Sequence, residues 1–204
     1  MPGQTPHTST TTRERSAKAE AVAKAKAIAP ALAARIGSTP KTLFRGDPDI
    51  FGRLVEDHDR HRALLAMIEE TQGDSDDRHA LFEELTRELK AHAAAEEQAL
   101  WSSVLRDPAT TDFARHAIAE HKEIDEMLAD LAARDMGSSG WLRRFAGLKE
   151  EYLHHIREEE QEQFVAAEEH LSATDRRHMR QVFERRKKAE KAEATIEKEI
   201  KLKD

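Results

Sequence analysis

Apolar residues fall into helical stripes over most of residues 47–170, in four stretches separated by short breaks. Asp47-Pro48 predicts an N-cap followed by proline at the first helical position, opening a helix that runs to about Gln72 and stops at Gly73. A second helix is predicted over Asp74–Arg106. Asp107-Pro108 predicts the start of a third, ending near Arg134. After the Met136–Gly140 loop a fourth spans about Trp141 to His170. Ser172 begins a Ser-x-x-Asp capping signal for a charged C-terminal helix. Four long helices with short connections predict an all-α, up-down antiparallel four-helix bundle. The expected organisation is a basic, marginally helical arm over 1–46, a bundle over 47–171 and a charged C-terminal helix over 172–204.

Composition narrows the picture. Of 204 residues, 36% are charged and only 5% aromatic, and there is no cysteine. That excludes disulfides, thiolate metal sites and Cys nucleophiles. No run approaches the roughly 18 apolar residues that cross a bilayer, and the start carries no secretory h-region. The expectation is therefore a cytoplasmic protein with no membrane partner. Residues 1–46 carry a balance of +6, which leaves −13 on the remaining 158. An acidic body argues against nucleic acid as the main partner. Residues 1–14, rich in Thr, Ser and Pro, are expected to be disordered. Ser16–Ile36 is helix-permissive with few apolar residues, interrupted at Pro30 and closed at Gly37.

The chemistry lies in a repeat. At an offset of 63 residues His58 aligns with His121, Phe82 with Phe145, and Leu85 with Leu148. His92-Ala-Ala-Ala-Glu96-Glu97 aligns with His155-Ile-Arg-Glu-Glu159-Glu160, and the interval from His58 to His92 equals that from His121 to His155. In each His-x-x-x-Glu the two side chains share one helix face. That face is otherwise apolar or small: Leu85, Leu89 and Ala99 flank the first pair, and Leu148 and Tyr152 precede the second. Four imidazoles and two carboxylates thus point toward the predicted core. An unpaired buried carboxylate costs several kcal/mol, so the cluster calls for cations. Imidazole with carboxylate suits iron, manganese or zinc, and oxygen-rich dinuclear sites lean toward iron.

The two His-x-x-x-Glu-Glu segments, with Asp57-His58 and Glu120-His121, resemble the hemerythrin-type HHE cation-binding domain over about residues 48–170. The resemblance implies a non-haem, oxo- or hydroxo-bridged pair of iron ions, ahead of zinc or manganese. The implied ligands are His58, His92, Glu96, His121, His155 and Glu159. It also implies binding or sensing of dioxygen, nitric oxide or iron. Oxygen-carrying hemerythrins have a second histidine four residues after the helix-three histidine, and here that residue is Asp125. Four histidines with two glutamates look more similar to the iron–sulfur repair and sensor branch, although this chain lacks that group's cysteine-bearing segment.

Each signal has a plainer alternative. One His-x-x-x-Glu alone reads as a surface salt bridge; two in register read as a metal site. His61 is expected to stand behind the ligands or at the surface rather than to ligate. Asp125 either hydrogen-bonds a ligand imidazole or completes the coordination. Tyr152 is assigned to core packing, with hydrogen bonding to the site as its alternative. Glu97, Glu160 and the run Arg185–Lys188 are read as solvent-facing. The leading function is a non-enzymatic di-iron module. The alternatives are a redox or iron-donating enzyme (nitric oxide or peroxide turnover, cluster repair) and a metal-free structural helical protein. A ferritin-like oxidase needs two Glu-x-x-His motifs, and only Glu151-Tyr-Leu-His154 fits.

Overall fold

The computed structural model describes residues 19–20, 23–27, 29, 31–37 and 42–193. The expectation of disorder over 1–14 lies outside them. The fold is all-α, with no strand among the described residues. Helix α1 spans Ile50–Glu69 and α2 spans Asp76–Glu96. A π-helical turn, Glu97–Trp101, continues α2 into the short α3, Ser102–Val104. Then come α4, Thr111–Ala132, and α5, Trp141–Glu158. A second π-helical turn, Glu159–Gln163, leads into α6, Phe164–Glu169, and α7 covers Ala173–Glu193.

Two helix starts differ from the sequence expectation. Asp47 closes a turn through its N–H to the Phe44 carbonyl (3.0 Å), so Asp49 caps α1 instead, accepting from the Phe51 N–H at 3.1 Å. Asp107 likewise closes a turn onto Val104, and α4 begins only at Thr111. The cap before α7 is reciprocal as expected. The Asp175 N–H donates to Ser172 Oγ at 3.2 Å, and the Ser172 N–H donates to Asp175 Oδ2 at 3.3 Å.

Gly52 is required by a close approach rather than by its dihedrals. A Cβ there would lie 2.1 Å from the Asp47 carbonyl oxygen, which belongs to rigid backbone. Gly52→Ala is expected to destabilise the fold by about 2–3 kcal/mol, as overpacking does, read by chemical denaturation.

Two apolar layers form the core. One contains Leu64, Leu65 and Ile68 of α1, Phe82 and Leu85 of α2, Ile124 and Leu128 of α4, and Phe145 and Leu148 of α5. The other contains Ile50, Phe51 and Leu54 of α1, Leu100 and Trp101 of the first π turn, Ala114 and Ala117 of α4, and Phe164 beyond α5. His58, His92 and His121 each fall between their helix's residues of one layer and its residues of the other, and His155 lies near the end of α5, beside the last of its first-layer residues and ahead of Phe164 of the second. A polar level is thereby held between two dry ones, where electrostatic interactions are strong. The N-terminal arm joins the first layer through Ala25, and Ala29 and Ala33, four and eight residues on, are also buried. Helix α7 contributes Met179 and Phe183 to the second layer. Among the described residues no helix is long and apolar enough to cross a membrane.

Candidate metal centre

The six predicted donors meet in this polar level. His58, His92, His121, His155, Glu96 and Glu159 are all buried. The imidazoles lie in two pairs, His58 with His92 (ring centroids 5.1 Å apart) and His121 with His155 (5.0 Å). Each glutamate reaches one member of each pair. Glu159 lies 3.3 Å from His58 Nε2 and 3.5 Å from His155 Nε2. Glu96 lies 3.4 Å from His92 Nε2 and 3.5 Å from His121 Nε2. Donor atoms held at about 2.1 Å around one octahedral ion sit about 3 Å apart, close to this spacing.

The donor chemistry fits cations. Among the described residues, none of the four Nε2 atoms and neither oxygen of Glu96 or Glu159 has a hydrogen-bond partner. Buried polar atoms are otherwise satisfied in nearly every case. Atoms that are orphaned together and aimed at one another are the signature of a shared ion rather than of faulty packing. His58, His92 and Glu159 place one ligating atom each within 4.8 Å of one another, and so do His121, His155 and Glu159.

The opposite ring nitrogens are all engaged. His92 Nδ1 meets Asp57 at 3.2 Å, and His155 Nδ1 meets Glu120 at 2.9 Å. His58 Nδ1 meets Glu160 at 2.8 Å, and His121 Nδ1 meets Glu97 at 3.0 Å. A carboxylate on Nδ1 fixes the ring's orientation and makes Nε2 a better ligand. The four partners obey the 63-residue repeat: Asp57 matches Glu120, and Glu97 matches Glu160. Burial alone would depress His58, but the Glu159 and Glu160 carboxylates outweigh it and raise its pKa to about 9. Burial opposes the same rise at His121, which Glu96 and Glu97 carry to about 10. Glu96 is held far below the carboxylate range, because His121 and His92 outweigh its burial.

Glu97 and Glu160 correct the sequence reading, which had them facing solvent. Glu160 is buried, and Glu97, half-buried, touches His121. The cause is the π-helical turn that begins at Glu97 in one hairpin and at Glu159 in the other, which widens the helix so that two consecutive residues turn inward. Their repetition at the offset of 63 was the available signal.

His61 is fully buried; its Nδ1 hydrogen-bonds the Tyr152 hydroxyl at 2.5 Å, and its Nε2 lies 4.0 Å from Glu88. Tyr152 is thus joined to His61 rather than to one of the six donors. Asp125 accepts from Lys90 Nζ at 3.1 Å and makes no hydrogen bond to any of the four imidazoles, since its place on α4 turns it toward α2 and the solvent. Lys187, read as solvated, is buried: its ammonium meets Asp57, and it lies 2.7 Å from Glu88. A half-open cavity of about 400 Å³ reaches His92, His121 and His155 past Leu89, Ile118 and Leu128.

An all-helical domain with a buried, carboxylate-braced His/Glu cluster is a metal-binding domain by class. The family profile described as the Hemerythrin HHE cation binding domain matches residues 49–167, and the chain belongs to that family. The crystal structure of a Hemerythrin HHE cation binding domain-containing protein from Mycobacterium kansasii is similar, with a TM-score of 0.65 and 24% identity. That similarity covers 71% of this chain and 88% of the other, and it carries the fold alone. Comparison with curated proteins finds no match.

Proposed function

We propose that the chain is a di-iron module that binds or senses a small ligand, dioxygen or nitric oxide, at a buried non-haem centre. The observation that carries this is the sharing of Glu96 and Glu159 between the two histidine pairs. His58 with His92 would hold one ion and His121 with His155 a second, and Glu96 and Glu159, each reaching both pairs, would complete the use of these six orphaned side chains. The order in which the long helices meet the two apolar layers alternates from one to the next, which supports an up-down four-helix bundle around the pair.

When bound, two iron ions would supply a redox couple and coordination positions open to a diatomic ligand. The residues do the rest. The outer carboxylates hold the imidazoles in the ligating tautomer. The two apolar layers exclude water. The cavity beside His121 gives a small molecule a route past apolar walls.

Iron analysis with optical spectra of the purified protein, taken before and after oxygen or nitric oxide, tests the reading. About two irons per chain and a ligand-dependent visible band are expected. A stable adduct fits a sensor or carrier, and rapid consumption of the ligand would move the assignment to an enzyme. A metal-free protein of undiminished thermal stability would leave only a structural role.

A further inference from the structure

The 63-residue repeat is broken in one informative place. Asp57 and Glu120 occupy equivalent positions and brace equivalent histidines, His92 and His155. Around Asp57 the remaining charge is supplied by permanent cations. Arg53 lies at 2.6 Å, Arg60 at 2.9 Å, and Lys187 comes in from α7. Asp57 is wholly buried beneath them. The residue equivalent to Arg53 beside Glu120 is His116, and the one equivalent to Arg60 is Glu123. Among the described residues no Lys or Arg pairs with Glu120.

Metal-ligating groups stand there instead. His116 Nε2 lies 3.4 Å from Glu120 Oε1 and 3.0 Å from Glu158 Oε2. Glu158 Oε1 lies 3.2 Å from His154 Nε2. His116, Glu120 and Glu158 place one ligating atom each within 4.8 Å of one another. His116 and Glu120 on α4, and His154 and Glu158 on α5, are two more His-x-x-x-Glu pairs. The second is shifted by a single residue from the buried His155–Glu159 pair. Both outer histidines are half exposed, at 54% and 51%, whereas Glu120 is buried.

We propose that His116, Glu120 and Glu158, with His154 beside them, form a surface site for a divalent transition-metal ion that loads the buried centre. Arg and Lys neutralise a carboxylate but cannot ligate in their charged forms, whereas neutral imidazole does. Solvent reaches the site from the histidine side. On the inner side Glu120 faces His116 with Oε1 and His155 with Oε2, so one carboxylate touches both the port and a donor of the centre. The equivalent place at Asp57 is shut by fixed charge and by α7, which makes loading one-sided.

The loading role rests on the di-iron reading, and the experiment separates the two. Iron-reconstituted protein is titrated with Co²⁺ by calorimetry. Wild type is expected to bind one further ion, and His116→Ala and Glu158→Gln are expected to weaken it at least about tenfold. The same variants, stripped of metal and mixed anaerobically with Fe²⁺, are expected to reach the wild-type iron content about tenfold more slowly. A Co²⁺ isotherm with no extra site in wild type, or variants that load as fast as wild type, overturns the proposal. A wild-type chain that takes up no Fe²⁺ sinks the di-iron reading and the loading role with it, while the loss of one Co²⁺ site from wild type to His116→Ala, read on the metal-free chains, still decides the surface site.

Discussion

Glu159→Ala is expected to strip the protein of nearly all its iron, while His178→Ala leaves the content at the wild-type value. Glu159 is the one residue in both buried donor groups, and its two oxygens face His58 and His155 separately. Removing it takes a ligand from each proposed ion at once and subtracts a negative charge from a level that must host several positive ones. The apolar layers on either side cannot make up the difference, because nothing in them can solvate a cation. Glu96→Ala should act in the same direction through His92 and His121. His178 is exposed on α7 and touches neither group, so it controls for non-specific loss. Elemental analysis of the variants decides the matter. Equal iron in all of them would mean that the donors converge without ligating.

The convergence of these six side chains was legible in the sequence for a physical reason. A charged residue on an otherwise apolar helical stripe is a contradiction unless something resolves it, and here the contradiction recurred at a fixed interval on four helices. His92 and Glu96, or His155 and Glu159, need only α-helical periodicity to be placed together. The orienting carboxylates needed more. Glu97 and Glu160 sit one residue past those pairs, where α-helical geometry points them about 100° away. The π-helical turns that bring them back cannot be read from helical periodicity, and only the recurrence of both glutamates at the offset of 63 pointed to a shared role. Lys187 was hidden for another reason. Arg185–Lys188 is a basic run on an amphipathic helix, and only tertiary packing against α1 and α2 selects one of its four cations for burial. Asp47 and Asp107 misled because Asp-Pro also begins turns, and here both aspartates close one.

That buried lysine carries the second large effect. Lys187→Met is expected to destabilise the protein by about 3–5 kcal/mol, the range for breaking a buried ion pair from one side. Its ammonium lies between Asp57 and Glu88, both nearly inaccessible, and Lys187 holds each below its usual range against the pull of burial. Methionine fills the same volume, so the loss reports charge rather than a cavity. The neighbouring Lys188→Met, fully on the surface, should change little. A double-mutant cycle with Asp57→Asn gives the sharper reading. If Lys187 acts by neutralising the carboxylate that orients His92, its removal should matter far less once that carboxylate is an amide. Additive losses in urea denaturation would instead mean that Lys187 acts through Glu88 rather than through Asp57. In the coupled case metal affinity should fall about 10–100-fold in Lys187→Met, because Asp57 stands directly behind His92 Nδ1. A helix outside the matched family domain would then set how well the centre holds its ions.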